Sequence, residues 1–282
     1  MGGDVTVALV TDSNAQMPGA LRERFDVRVV PLAIVLDGRE YREGVDLTSD
    51  EFYARLAAGA TVTTAAPSPG EALAVYQAAI DAGATQILSV HIGSNTSATC
   101  NAVQIAADAC AVPVEVVDTG TASFAISCCV WAAADALAAG AEVEVAAHAA
   151  RAAAATVGNV FVVGALDLAR RGGRVGAGVD GETDGVPVLA LVQGQMNAVG
   201  RAATIEDAVQ AMTDYVVGEA AGRRLRVGVG DALMPDLAAA FAESLRSRSE
   251  TAELVHYDIG PSVGAHTGAG TVGACFYPED PS

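Results

Sequence analysis

The sequence predicts an α/β chain of two domains. The first is a three-layer domain with a mostly parallel sheet, and the second is an α/β domain with a mixed or antiparallel sheet. Three observations carry this prediction. Short apolar runs alternate with alanine-rich periodic segments through the first half, as expected of a parallel sheet covered on both faces. Near residue 155 the rhythm changes to shorter strand-like runs interspersed with helices. Hydrophobic residues make up 51% of the 282 positions, enough to bury one large or two medium cores. The predicted domains are residues 1–155 and 156–282, with no low-complexity linker between them.

The elements follow in order. VTVALVTD (5–12) reads as a strand ending at Asp12, MPGALRERF (17–25) as a short helix, and VRVVPLAIVLDG (27–38) as a strand with its turn. LTSDEFYARLAAG (47–59) has the signs of a capped helix, with Thr48 or Ser49 at its start and Glu51 close behind. In SPGEALAVYQAAIDAG (68–83) Ser68 is the cap, and Pro69 sits in the first turn, where a missing N–H costs nothing. TQILSVHI (85–92) is a strand, TSATCNAVQIAADAC (96–110) a helix, PVEVVDTG (113–120) a strand and ASFAISCCVWAAADALAAG (122–140) a long helix. In the second half, 159–175, 186–202, 225–230, 252–260 and 271–277 contain shorter candidate strands. TIEDAVQAMTDYVVGEA (204–220) and MPDLAAAFAESLRSR (234–248) are the helices between them.

Composition narrows the function classes. The formal net charge is -18, with no lysine and 16 arginines, which we read as genome composition bias. Such an acidic chain is neither a non-specific nucleic-acid binder nor suited to docking on anionic lipid. Its densest basic runs, RRLR (223–226) and ARRGGR (169–174), read as solvated helix faces. Cys100, Cys110, Cys128, Cys129 and Cys275 show no metal-ligand spacing and fit buried free thiols in a reducing cytoplasm. The N-terminal residues lack the pattern of a signal peptide and match a myristoylation motif poorly. Charged residues and histidines interrupt every alanine-rich run before the roughly 18 residues of a membrane span.

Chemistry-bearing residues collect at expected loops. Parallel α/β folds bind ligands beyond the carboxyl ends of their strands. TDS, HIGSNTSAT and DTGTAS fall there and suggest one polar rim. Thr63 and Thr64 precede APSPG, and Ser94, Thr96, Ser97 and Thr99 follow Gly93. Their hydroxyls can donate to a carboxylate or phosphate, and the helix that follows would add oriented N–H groups; they can equally cap helices and shape turns. His266 lies in GPSVGAHTGAG (260–270), among glycines and small residues. Two readings stand side by side: a turn histidine bonded to backbone, or a donor to an anionic head group near Arg170, Arg171, Arg174 or Arg201. His91, His148 and His256 make no compact metal motif with it. No GK[ST] phosphate loop, HExxH or GxSxG string occurs.

Seven motifs in order span almost the whole chain. They are VTDS (10–13), TTAAPSPG (63–70), IGSNTSAT (92–99), VDTGTAS (117–123), LDLARRGGRV (166–175), Arg201 after the glycine-bearing segment at Gly194, and IGPSVGAHTGAG (259–270). In this set the chain resembles the DegV family of bacterial fatty-acid-binding proteins. The resemblance implies a long acyl chain, such as palmitate, stearate or oleate, buried in a tunnel between two domains. It implies a carboxylate held by Thr64 and Ser94, with Thr63, Thr96 and Ser97 as secondary contacts and His266, Arg170 and Arg201 near the head group. It further implies no cofactor, no independent catalysis and a carrier role in the cytoplasm. The bound acid would be presented to a separate fatty-acid kinase whose acyl phosphate feeds phospholipid synthesis. A monomer is expected.

The chain departs from the family pattern at Ala65, Ala66 and Gly93, where a serine, a glutamine and a serine are expected, and at Ala98, where a glycine is expected. These departures remove two hydroxyls and one amide beside the head group. Two other readings remain at this point: an enzyme acting on a small anionic substrate through His266 with Ser94 or Thr64, and a binding module for another apolar carboxylate or a regulatory partner.

Overall fold

The computed structural model describes residues 5–171, 173, 179 and 185–279. The chain divides into two compact units, Met1–Ala155 and Thr156–Ser282.

The first unit opens with β1 (Val7–Asp12), a 3-10 turn at Ser13–Ala15, α1 (Gly19–Phe25) and β2 (Val27–Val30). β3 (Ala33–Leu36), β4 (Arg39–Arg42), α2 (Ser49–Ala57) and β5 (Val62–Ala65) follow. α3 (Pro69–Asp81), β6 (Gln86–His91), α4 (Thr99–Asp108), β7 (Val114–Asp118), α5 (Phe124–Ala138) and α6 (Val143–Thr156) complete it. A four-stranded parallel sheet has the order β2-β1-β6-β7. Val10, Val30 and Ile87 face Ala72, Tyr76 and Ala79 of α3 and Val103 and Ala106 of α4. Strand alternation sends Leu9, Leu88 and Val90 to the opposite face, where α5 lies against β1 and β6. These layers match the expected parallel domain.

One segment divides where the sequence suggested continuity. Residues 27–38 form two strands, separated by Pro31 and Leu32, that belong to different sheets. Pro31 has no N–H to give a ladder, so the strand ends before it. β3 then centres a small antiparallel sheet of order β4-β3-β5, which the sequence reading did not contain. Thr63 and Thr64 consequently lie on β5, opposite Val35 and Ile34, rather than in a loop. The capping boxes expected at Thr48–Glu51 and Ser68–Glu71 are both formed.

The second unit contains β8 (Gly158–Val162), α7 (Leu166–Arg171), β9 (Val186–Val192), β10 (Gln195–Ala202) and α8 (Ile205–Ala220). It continues with β11 (Leu225–Asp231), α9 (Pro235–Arg246), β12 (Thr251–Asp258), α10 (Pro261–Thr267) and β13 (Val272–Pro278). Its sheet order is β10-β9-β8-β13-β11-β12. Only the β11–β12 pair is parallel, so the sheet is mixed. α8 and α9 cover one face through Met212, Val216, Phe241 and Leu245. The hairpin between β9 and β10 turns on Gln193 and Gly194, at φ 50° and 77°, the left-handed pair of a two-residue turn.

Within residues 159–175, where the sequence suggested a short strand, the strand observed is Gly158–Val162. Leu166–Arg171 is helical, and Arg174 lies outside the described residues. His266 lies in a short helix, Pro261–Thr267, and not in the turn that one of its two readings gave it. Pro261 starts a helix at a position that needs no N–H, and Gly268 stops it at φ 79°. This helix packs against α7. Ala165 N–H donates to the Thr267 carbonyl at 3.0 Å, and a Cβ at Gly268 would stand 2.6 Å from that of Ala165.

Gly164 sits in the same contact, and a Cβ there would fall inside the Ala269 carbonyl. Gly164→Ala should therefore destabilise the chain by about 1–3 kcal/mol through overpacking. Gly218→Ala, on the exposed surface of α8 with open space at Cβ, should instead stabilise by about 0.5–1 kcal/mol. Urea unfolding of both variants checks the contrast in sign.

Candidate functional site

The carboxyl ends of β1, β6 and β7 carry the three polar segments, and the structure ties them together. Asp12 is 1% exposed. Its Oδ2 accepts from His91 Nδ1 and from the Ile92 N–H, both at 2.9 Å, and its Oδ1 accepts from the Asn14 N–H at 3.0 Å. His91 Nε2 lies 2.6 Å from Ser89 Oγ, which lies 2.9 Å from the Tyr76 hydroxyl. A neutral imidazole satisfies the whole line: Tyr76 donates to Ser89, Ser89 to Nε2, and Nδ1–H to Asp12. All four side chains are buried under α3 and α4.

The third segment joins through backbone. The Thr119 N–H and hydroxyl both donate to the His91 carbonyl, at 3.2 and 2.8 Å. Gly93 N–H donates to Thr121 O at 2.8 Å, and the Ser123 N–H to Asn14 Oδ1 at 2.9 Å. Ser123 is held at φ 62°, where side chains are rarely found. Asp118 Oδ1 accepts from the Ser94 N–H at 3.1 Å and the Gly120 N–H at 2.9 Å. The expected polar rim is thus one hydrogen-bonded cluster.

The cluster also accounts for Gly93. A Cβ there would stand 2.5 Å from Asn95 Oδ1 and 2.6–2.7 Å from the Gly120 backbone. In this chain the position cannot take a serine unless two loops move apart. The Gly93 departure is therefore a packing requirement, and nothing in the structure explains Ala65 or Ala66.

The donors on the β6–α4 loop can be counted. Thr96 and Ser97 N–H both donate to the Gly93 carbonyl, and Thr99 N–H to Ser97 Oγ. At the start of α4 the Thr99 amide is thus taken up by the Ser97 hydroxyl. Thr96 Oγ1 donates to Asn95 Oδ1, and the Ser97 and Thr99 hydroxyls pair at 2.9 Å. The Ser94 hydroxyl makes no hydrogen bond within the described residues, and Ser94 is exposed. Cys100, just inside α4, gives its Sγ–H to the Ile92 carbonyl. Burial, reinforced by the Asp118 and Asp12 carboxylates, pushes its thiol up to about 12.

The remaining predicted residues are spread over other elements. Thr64 is half-buried and Thr63 exposed on β5. That small sheet is fastened to the end of β1: Ser13 Oγ donates to Glu43 and accepts the Leu32 N–H at 2.9 Å. In the second unit, His266 is half-buried in the last turn of α10, whose Pro261, Ser262, Gly264, Ala265 and Thr267 are buried. Arg170 is exposed on α7 and pairs with Asp167 at 2.9 Å. Arg201 is exposed on the edge strand β10, opposite Pro187. Sequence reasoning did not single out Tyr76 or Ser89, and it placed His91 and Asp118 within the expected polar rim without a partner for either. The available signal was parity, since Ser89 and His91 share one face of a strand directed at the α3 side.

Two arrangements resemble reactive chemistry without supporting it. Asp12, His91 and Ser89 are connected in the manner of a hydrolase triad, yet Ser89 is 0% exposed and its hydroxyl is engaged by Tyr76. Asp231, His256 and Asp258 bring metal-ligand groups together, but His256 Nε2 bonds Asp231 Oδ1 at 2.8 Å and the other Asp231 oxygen accepts the Met234 N–H at 2.7 Å. Among the described residues no helix is long and apolar enough to cross a membrane.

A covered parallel sheet with a hydroxyl-bearing loop cluster at its carboxyl edge, followed by a mixed six-stranded unit, defines a two-unit α/β protein whose polar site is built from uncharged donors. Residues 6–279 match the family described as "Uncharacterised protein, DegV family". A DegV domain-containing protein of Streptomyces coelicolor is 35% identical over 271 residues, covering 95% of this chain and 96% of its own. One from Mycobacterium tuberculosis is 35% identical over 279 residues, covering 96% and 97%. Among solved structures, a DegV family protein of Thermus thermophilus described as fatty-acid binding has a TM-score of 0.89 and 32% identity, covering 96% of this chain and 99% of its own. A DegV lipid-binding protein of Thermotoga maritima has a TM-score of 0.88 and 25% identity, covering 98% and 99%. The chain belongs to the DegV family.

His91→Ala should cost about 3 kcal/mol or more, because it strands the buried Asp12 carboxylate. Ser94→Ala should change stability by no more than about 0.5 kcal/mol, and urea unfolding separates the two. Burial pushes the Tyr76 phenol up to about 12. An unfolded tyrosine loses its proton near pH 10, roughly. Its contribution is therefore fully present below that pH and lost as pH rises through about 12. Tyr76→Phe should flatten the fall in unfolding free energy across this window.

Proposed function

We propose that this chain binds a long-chain fatty acid and presents its carboxylate to a separate fatty-acid kinase. The observation that carries the proposal is the likeness, at 32% identity over 96% of the chain, to a Thermus thermophilus protein described as fatty-acid binding. Thr64, Ser94 and His266 are the proposed head-group contacts, with Thr63, Thr96 and Ser97 secondary to them and Arg170 and Arg201 at the exposed end. The unengaged Ser94 hydroxyl supports this assignment, whereas Thr96 and Ser97 already spend their hydroxyls within the loop.

The physical division of labour favours an acyl carboxylate. A buried carboxylate without partners is costly, so its binding needs donors, and hydroxyls supply them without a second charge. The tail needs no directional chemistry and contributes roughly 0.8 kcal/mol per buried CH2 before ordering losses. Palmitate, stearate and oleate fit this chemistry. The phosphoryl-transfer step lies with the kinase, so this chain acts as a carrier in the cytoplasm and its product enters phospholipid synthesis. We propose that it acts as a monomer.

Native mass spectrometry after mild purification should show an added mass matching a fatty acid. Protein that arrives empty and also fails to take up palmitate or oleate would overturn the binding proposal. A validated fatty-acid kinase should phosphorylate the bound acid, and absence of transfer from a demonstrably loaded chain would remove the kinase step alone.

A further inference from the structure

We propose that Asp118 is a positioning residue: it holds the Ser94 loop by the backbone so that Ser94 meets a ligand with its hydroxyl alone. The inference rests on the reading of Ser94 as a head-group contact and adds a residue that does not itself touch the ligand. Asp118 ends β7, whereas Ser94 lies in the loop after the neighbouring β6. One oxygen of Asp118 accepts both the Ser94 N–H and the Gly120 N–H, at 3.1 and 2.9 Å. This clamp spans the two strands at the point where their loops diverge.

The surrounding contacts make the clamp directional. Gly93, immediately before Ser94, touches the Gly120 backbone so closely that a Cβ would stand 2.6–2.7 Å from it. Its N–H is given to Thr121 and its carbonyl receives Thr96 and Ser97. Asn95 Nδ2 reaches the Gly120 carbonyl at 3.4 Å. With its amide held by Asp118, Ser94 retains one unengaged donor, the hydroxyl. A carboxylate next to an anion-binding hydroxyl would ordinarily repel the ligand. Here it accepts two backbone N–H groups, and it fixes which group is offered.

The test is a double-mutant cycle on delipidated full-length protein, read as palmitate affinity. Asp118→Ala should weaken palmitate about tenfold, as should Ser94→Ala, and the double variant should be no weaker than either alone. Asp118→Asn keeps an oxygen acceptor for both amides and should stay within about twofold of the parent. Losses that multiply in the double variant, or an asparagine variant as weak as the alanine one, would overturn the proposal. Amide hydrogen exchange reads the clamp without any ligand. Exchange at Ser94 and Gly120 should accelerate in Asp118→Ala and not in Asp118→Asn. Unchanged exchange in Asp118→Ala overturns the proposal whatever the chain binds. Parent protein that binds no palmitate overturns the reading of Ser94, and with it the ligand role of Asp118, even where exchange responds as expected.

Discussion

The buried Asp12 carboxylate is the constraint on which the carboxyl edge of the first unit's parallel sheet depends. It closes β1, accepts three N–H groups and joins the end of β1 to the end of β6 through His91 and Ile92. A carboxylate removed from water is tolerable only when its acceptor capacity is filled, and here imidazole and backbone fill it. Everything beyond is placed relative to that tie. His91 receives Thr119 on its carbonyl, Gly93 follows Ile92 into contact with Gly120, and Ser94 emerges one residue later. The Ser13 hydroxyl, next to Asp12, anchors the small antiparallel sheet carrying Thr63 and Thr64.

This arrangement separates two kinds of polar residue that look alike in sequence. His91 and Ser89 are engaged inside the molecule and hold strands together. Ser94 is exposed with its hydroxyl unengaged. The inner line has the connectivity of catalytic residues but no route to a substrate, because Tyr76 covers Ser89. The outer loop offers the Ser94 hydroxyl at the surface, and the Asp118 carboxylate beside it is engaged by two backbone N–H groups.

Much of the fold was legible because its signals were local. Pro69 behind Ser68, the alternation of VTVALVTD and the paired apolar faces of residues 72–79 and 103–106 each name one element. The split at Pro31 was legible in principle, since proline interrupts a ladder. The strand character of Thr63 and Thr64 was not, because β5 is four residues long and its partner β3 lies across a helix. The helix at Pro261–Thr267 was hidden by Gly264 and a histidine with weak helical preference, although its proline start and glycine stop were present. The site divided along the same line. Motif order picked out Ser94 and the segment holding Asp118, whereas the bonds joining Asp118 to the Ser94 loop and His91 to Asp12 depend on pairings between strands many residues apart.

The central claim, a fatty-acid carboxylate hydrogen-bonded by Ser94, is tested most directly with palmitate labelled with carbon-13 at its carboxyl carbon. Nuclear magnetic resonance of the delipidated protein titrated with this ligand should show a single bound carboxyl resonance, distinct from free palmitate, that moves on Ser94→Ala. A bound resonance indifferent to Ser94, or no bound resonance, would contradict the account.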